Sequence, residues 1–597
     1  MPLQVVWLDN DALYLTMSLL QERDGEFHHR EIRVIRRLSD GQMVRAASDM
    51  DVVSTATGHA GEVLFAQFLP RGARIFELNL RTFQFDQHSY VTSNDGPPAS
   101  FIIGPTGTRA LTLIGERGLF RLSSAMTDLP RGIIHRETRT IDREARFARN
   151  NWSRWSGVVG QLEGLHPNGD LAVFSTTLEA PESTRRPGGR SALYTIDVRS
   201  GQIAGPVMES GDSDILGVIR DWRNNAVIGA LRGGARTSAV YISAEFLDLQ
   251  ARFEAQHPDL RVSLLDWNEH LSIVLYQVEM PGQPPELFLY FEEDETFRTL
   301  GSRYPEVGYR DDIELETVAY LTGDGMNQFA YLTIPTLARP DSPAPLVIMP
   351  HGGPQTRDYD RYDPMVQILT RSGYAVLQPQ FRGSRGFGLE FMDAGEEEWA
   401  GLMQSDIYDA LDAARDDPRI DAHRACIVGW SYGGYAALTS AVDGSDRFAC
   451  TISIAGVSDI RELMENETRN SVWRQQLYWS RVIGNWNHWG REARVLSPAL
   501  RAENLDRPLL LMHGSLDAIV PVDQSEIFQD AANEAGQGDL VRSVYFDNAR
   551  HAYLSFTTTD RERLLREMVD FLGTHLPVVE APASTFPVET SPPAEGG

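Results

Sequence analysis

The chain has 597 residues, too many for one hydrophobic core, and its 42% hydrophobic and 23% charged content are those of an ordinary globular protein. With 83 Asp+Glu against 55 Lys+Arg the formal net charge is −28, which repels a phosphate backbone and excludes nucleic acid as an expected partner. No run of about 18 apolar residues occurs, which excludes an ordinary membrane-spanning helix.

The N-terminal residues Met1 to Asp11 lack a basic region followed by an apolar stretch. At face value the compartment is the cytoplasm, with the periplasm or secretion as the expectation if an upstream signal segment is missing. The two cysteines, Cys426 and Cys450, each sit in an apolar strand-like run. They read as buried small hydrophobes rather than as a disulfide or a metal site.

Up to about residue 305, short β-branched and aromatic runs alternate with Gly, Asn, Asp and Pro clusters, an all-β pattern. A turn followed by a strand recurs at Asp9-Asn10-Asp11, Gly61-Glu62, Thr106-Gly107-Thr108, Pro167-Asn168-Gly169-Asp170, Asn224-Asn225 and Asn268-Glu269. Trp222 and Trp267, each preceded by Asp, stand 45 residues apart (267 − 222). Radial repetition of this kind predicts a β-propeller of six or seven blades, with one or two β-sandwiches as the alternative. The Arg-, Asp- and Trp-rich segment from Ser123 to Ser156 breaks the period and reads as a long loop or insertion.

Near Glu314 the pattern changes to a hairpin, Glu314 to Leu321 and Phe329 to Ile334, and then to alternating strands and helices. The apolar runs at Leu346, Tyr374, Ala425, Thr451, Leu509 and Ser543 are those of a sheet covered on both faces. Between and after them lie helical periods such as Ile407, Ala410, Leu411, Ala414 and Leu564, Leu565, Met568, Phe571. The expectation is a doubly wound, mostly parallel α/β sheet. The domains are then 1–310 (propeller), 311–576 (α/β-hydrolase) and 577–597, a Pro-rich disordered tail.

Gly429-x-Ser431-x-Gly433 follows an apolar strand directly, the setting of a nucleophile elbow. Asp517 and His551 follow later strands in the order that such a triad requires. A serine hydroxyl is a poor nucleophile until an imidazole takes its proton, and a buried carboxylate orients that imidazole. His513 is a rival base, but its place at a strand end beside Gly514 reads as structural. The backbone N–H groups of Tyr432 and Gly353 are the candidate oxyanion donors. Trp430 and Tyr435 read as packing residues around the elbow.

His351-Gly-Gly-Pro354, Phe381-Arg-Gly-Ser384-Arg-Gly386-Phe387-Gly388, Gly429-Trp-Ser431-Tyr-Gly-Gly434-Tyr435 and His513-Gly-Ser-Leu-Asp517-Ala-Ile-Val-Pro521 together resemble the motif set of the prolyl oligopeptidase (S9) family. The nearest branch is the acylaminoacyl-peptidase and dipeptidyl-peptidase-like one. The resemblance implies a β-propeller on an α/β-hydrolase domain, and a serine peptidase of short peptides whose propeller restricts entry. It carries nucleophile, acid and base onto Ser431, Asp517 and His551, and the oxyanion donors onto Gly353 and Tyr432. The chain departs from the family's pattern at Arg550, where a glycine usually precedes the histidine, and no paired-glutamate segment of the dipeptidyl-peptidase IV kind is matched.

Arg357, Arg382 and Arg385 are candidates for binding a substrate carboxylate or carbonyl, or for structural ion pairs. No cofactor or metal is expected, and homo-oligomer formation is left open. An esterase or an acylaminoacyl or isopeptide hydrolase using the same triad is the alternative reading. A propeller-based binding scaffold with a vestigial hydrolase domain is the non-enzymatic one.

Overall fold

The computed structural model of the protein describes residues 2–578 apart from a set of segments, the longer of which are 55–61, 93–99, 127–160, 305–312, 471–478 and 485–491. Five of the six repeat turns and most of the Pro-rich tail lie wholly or partly outside the described residues. Two compact units are present. The first comprises Met1–Glu279, Pro285–Pro305 and Gly386–Glu390, and the second Met280–Pro284, Glu306–Arg385 and Phe391–Gly597.

The first unit is a succession of small antiparallel meanders, the construction of a β-propeller. Three of its four-stranded sheets run Pro2–Trp7 to Met43–Ala46, Met50–Ser54 to Gln84–Thr92, and Arg261–Trp267 to Thr296–Ser302. A three-stranded sheet spans Ser100–Ile103 to Leu119–Met126. Two further meanders, from Gln161–Leu165 to Ile203–Glu209 and from Ile215–Asp221 to Ser238–Tyr241, join through a parallel pairing of Leu165 with Ala226. Six such sets are seen among the described residues.

The two Asp-Trp repeats meet. The Trp222 indole N–H donates to the Trp267 carbonyl at 2.8 Å, and the Trp267 indole N–H donates to Asp221 at 3.1 Å. The first residues of the segment expected to be an insertion from Ser123 are strand. Ser123, Ser124 and Ala125 pair in register with Thr112, Leu111 and Ala110, so the strand runs on to Met126, because small polar residues are acceptable on a paired strand. The rest of that segment lies outside the described residues.

The second unit is built on one eight-stranded sheet. Its strands are β1 (Ile313–Leu321), β2 (Asn327–Pro335), β3 (Ala344–Ile348), β4 (Ala375–Pro379), β5 (Ile420–Trp430), β6 (Cys450–Ile454), β7 (Leu509–Gly514) and β8 (Val541–Phe546). Their order is β1-β2-β4-β3-β5-β6-β7-β8. The β1–β2 hairpin pairs antiparallel, and β2 pairs antiparallel with β4; the remaining neighbours are parallel.

Helices α1 (Pro364–Arg371) and α4 (Thr558–His575) cover one face, burying Val366, Leu369, Leu564 and Met568. On the other face α2 (Leu402–Ala414) and α3 (Tyr432–Asp443) bury Met403, Ile407, Tyr435 and Ala436. Full burial of each large aliphatic side chain contributes about 1.5–3 kcal/mol, which is why the central strands are almost wholly apolar.

The cysteines differ from expectation. Cys426 on β5 and Cys450 on β6 are register partners and form a disulfide, with Cα atoms 4.9 Å apart. Directly opposed residues on neighbouring strands face the same side of a sheet about 4.8 Å apart, within disulfide reach. The adjacency of β5 and β6 cannot be seen from two apolar runs separated by a helix.

Candidate active site

β5 carries its apolar run to Trp430, Ser431 takes φ 58°, and α3 starts at Tyr432. A left-handed backbone at a non-glycine residue costs about 1–2 kcal/mol. Two main-chain bonds hold it: Ser431 N–H donates to Ile454 of β6 at 2.8 Å, and Tyr435 N–H donates to the Ser431 carbonyl at 2.9 Å. The flanking glycines are required by close approach. A Cβ at Gly429 would lie 2.1 Å from the Gly433 carbonyl oxygen, and one at Gly433 would lie 2.1 Å from that of Pro350. The elbow lifts Ser431 to the carboxyl end of the parallel strands, where doubly wound sheets place their chemistry.

Asp517 follows β7 and His551 follows β8, and the fold brings both to Ser431. His551 Nε2 lies 2.9 Å from Ser431 Oγ, and His551 Nδ1–H donates to Asp517 Oδ2 at 2.6 Å. Asp517 Oδ1 accepts from the backbone N–H groups of Ile519 and Val520 at 2.9 and 3.0 Å. Burial works against the Asp517 charge, but hydrogen bonds from His513 and His551 hold its carboxyl down to about 2. His513 is fully buried. Its Nε2–H donates to the Val520 carbonyl at 2.9 Å and lies 3.5 Å from Asp517, while its Nδ1 faces Ser525 Oγ at 2.7 Å. It therefore braces the acid loop.

Trp430 does more than pack around the elbow: its indole N–H donates to the His551 carbonyl at 2.8 Å while its ring packs on Phe556. This brace lies beside Arg550, where the family places glycine, and Arg550 N–H itself donates to Ser555 Oγ at 3.1 Å. An aromatic N–H carries no sequence mark of its partner, so no local signal could have named His551.

Gly353 has φ 123°, and a Cβ there would lie 2.9 Å from the nitrogens of Gln355 and Thr356. A Cβ on Gly352 would lie 3.4 Å from Ser431 Cβ, which places this loop against the nucleophile. Tyr432 N–H is the first amide of α3, one of those a helix leaves without an intrahelical acceptor.

The three arginines separate. Of the two roles open to Arg382, the structural one is met: its Nε, Nη1 and Nη2 all donate to Asp406 or Asp324 at 2.7–2.9 Å. Asp406 is fully buried and also accepts from Gln328 and the Arg382 amide, so the guanidinium is committed to neutralising it. Arg357 is buried, donating to the Tyr331 hydroxyl at 3.0 Å and to the Asp358 carbonyl at 3.0 Å. Arg385 is exposed, and its amide donates to the Thr356 carbonyl at 2.8 Å, beside the Gly352-Gly353 loop. Among the described residues no group of three or more His, Cys, Asp or Glu is gathered to hold a metal.

With this geometry in view, residues 361–578 match the profile described as the prolyl oligopeptidase family. That segment is a prolyl oligopeptidase family domain. Over 426 residues the chain is 30% identical to dipeptidyl aminopeptidase BIII of Pseudoxanthomonas mexicana, covering 68% of this chain and 59% of that one. Over 322 residues it is 25% identical to the acylamino-acid-releasing enzyme of Rattus norvegicus, covering 51% and 43%. The chain thus spans less than two thirds of the length of these curated relatives.

A Pyrococcus horikoshii acylaminoacyl peptidase aligns over 96% of both chains with TM-score 0.53 and 17% identity. A puromycin-hydrolyzing peptidase of Mycobacterium tuberculosis aligns over 95% of this chain and 93% of that one, with TM-score 0.58 and 16% identity. At such identities the likeness is one of fold: the prolyl oligopeptidase family domain here is an α/β-hydrolase sheet accompanied by a propeller. Among the described residues no helix is long and apolar enough to cross a membrane.

Proposed function

We propose that the protein is a serine peptidase that hydrolyses short peptides through an acyl-enzyme on Ser431. Ser431 attacks the scissile carbonyl while His551 Nε2 takes its proton and then delivers it to the leaving amine. Asp517 holds the imidazole with Nδ1–H pointing at the carboxylate and stabilises the imidazolium. The N–H groups of Gly353 and Tyr432 receive the charge of the tetrahedral intermediate. The observation that carries this reading is the unbroken Asp517–His551–Ser431 hydrogen-bond chain ending on a serine held in left-handed backbone.

Relatives named for dipeptidyl aminopeptidase and acylamino-acid-releasing activities support a peptide as the acyl donor, with removal of an N-acylated residue as the second reading. Restriction to short peptides follows the family resemblance. Of the three candidate arginines Arg385 is the exposed one, beside the Gly352-Gly353 loop, which favours it for a substrate carbonyl or carboxylate. The Cys426–Cys450 disulfide favours an oxidising compartment over the cytoplasm, because cytosolic thiols are ordinarily kept reduced.

The test combines fluorophosphonate labelling with hydrolysis of dipeptidyl p-nitroanilides, N-acetylaminoacyl p-nitroanilides and p-nitrophenyl esters. Labelling at Ser431 that Ser431→Ala abolishes, with peptide anilides turned over, is the expected result. Turnover of esters alone would make the protein an esterase. No labelling at all would leave a non-catalytic scaffold.

A further inference from the structure

The Gly352 carbonyl oxygen accepts two hydrogen bonds. His351 Nδ1–H donates to it at 2.7 Å, and the Thr356 hydroxyl donates to it at 2.7 Å. The Gly352–Gly353 peptide is trans, so its N–H points opposite to its C=O. Fixing the carbonyl therefore fixes the direction of the Gly353 N–H, on a loop that lies against Ser431.

His351 is itself held. It is buried, stacks on Phe381 with ring centroids 4.3 Å apart, and has Nε2 at 2.7 Å from Ser384 Oγ. Ser384 stands two residues after Arg382, whose guanidinium is clamped by Asp324 and Asp406. Glycine at 352 and 353 lets the backbone come close to the nucleophile but supplies no rigidity, so the aim of that amide has to come from its neighbours.

We propose that Thr356 is a positioning residue of the oxyanion site, acting with His351 on the Gly352 carbonyl to aim the Gly353 N–H at the developing charge. Thr356 touches no reacting atom in this scheme. It acts on the transition state alone, because a carbonyl oxygen gains full negative charge only as the tetrahedral intermediate forms. The inference rests on the serine-hydrolase reading of Ser431.

The test uses the full chain with p-nitrophenyl butyrate as substrate and an alkyl trifluoromethyl ketone as the inhibitor that forms a tetrahedral adduct on serine. Thr356→Val is expected to lower kcat about tenfold with KM within about twofold, and to weaken the trifluoromethyl ketone by the same factor. Thr356→Ser, which keeps the hydroxyl, is expected to recover both. Thr356 is exposed, so the melting temperature should not move.

Unchanged kcat and unchanged ketone affinity in Thr356→Val, beside an active wild type, overturn the proposal and leave the Ser431 reading standing. A joint loss of kcat, KM and thermal stability that Thr356→Ser does not repair overturns it in favour of a structural role. A wild type that neither labels with fluorophosphonate nor turns over ester overturns the Ser431 reading, and this proposal with it.

Discussion

The indole N–H of Trp430 donates to the main-chain carbonyl of His551 at 2.8 Å, so the residue preceding Ser431 holds the loop whose imidazole faces that serine. Nucleophile and base are thereby tied through main chain as well as through their own side chains. Trp430→Phe keeps the packing on Phe556 and deletes the N–H. A lost hydrogen bond of this kind is worth about 1–1.5 kcal/mol. If all of it falls on the alignment of His551, kcat drops about tenfold while KM and fluorophosphonate binding geometry change little. Steady-state kinetics on a peptide anilide measure this, and a Trp430→Phe enzyme with wild-type kcat would contradict it.

Burial pushes the His351 imidazole down to about 4 from its ordinary 6.5, and the nearby Arg357 cation adds to the effect. The folded state therefore refuses a proton that the unfolded chain takes up. Above pH 6.5 neither state is charged at this site and stability is unaffected. As pH falls from 6.5 towards 4 the unfolded state is progressively favoured, by about 2 kcal/mol at pH 5 from this residue alone. Urea unfolding at pH 7 and pH 5 should show a loss in the wild type that is smaller by about that amount in His351→Gln. Equal losses in the two proteins would show that His351 is not the group responsible.

Arg382 and Arg385 lie three positions apart and should respond differently. Arg382→Met strands the fully buried Asp406 carboxylate, a loss of about 3–5 kcal/mol in unfolding free energy. Arg385→Ala removes an exposed side chain, so stability should hold while KM for peptide substrates rises. Denaturant melts and Michaelis constants on the same two variants separate the outcomes; a rise in KM without destabilisation in Arg382→Met would return that residue to the substrate.

The Cys426–Cys450 disulfide joins β5 and β6, the two strands that set the main chain of the elbow. It closes a loop of 24 residues in sequence separation, for which chain entropy suggests about 3 kcal/mol of stabilisation. The Cys426→Ala/Cys450→Ala protein should unfold at lower urea by that margin yet keep its kcat, since Ser431 N–H still reaches Ile454. In the wild type, iodoacetamide should label both cysteines under denaturing conditions only after reduction. Labelling without reductant would show the thiols free.

The sequence by itself carried the order Ser431, Asp517, His551, each placed just beyond an apolar strand, along with the alternating β and α periods of the sheet and the meander periods of the propeller. These features are local. An apolar run marks a buried strand wherever it sits, glycines beside a serine are needed by the turn itself, and the chain order of a triad is covalent. Asp517 and His551 could be named because each lies only a few residues past its strand.

What only the tertiary structure decided was which side chains, far apart in sequence, are neighbours across strands and loops. Cys426 and Cys450 looked like isolated hydrophobes until the parallel register of β5 and β6 set them opposite one another. Arg382 and Arg385 have the same chemistry, and only the buried Asp406 and the exposed Asp324 that clamp Arg382 tell them apart. The bonds from Trp430 to His551 and from Thr356 to Gly352 likewise depend on where a donor ends in space. A hydrogen bond is a relation of distance and angle that no spacing along the chain encodes.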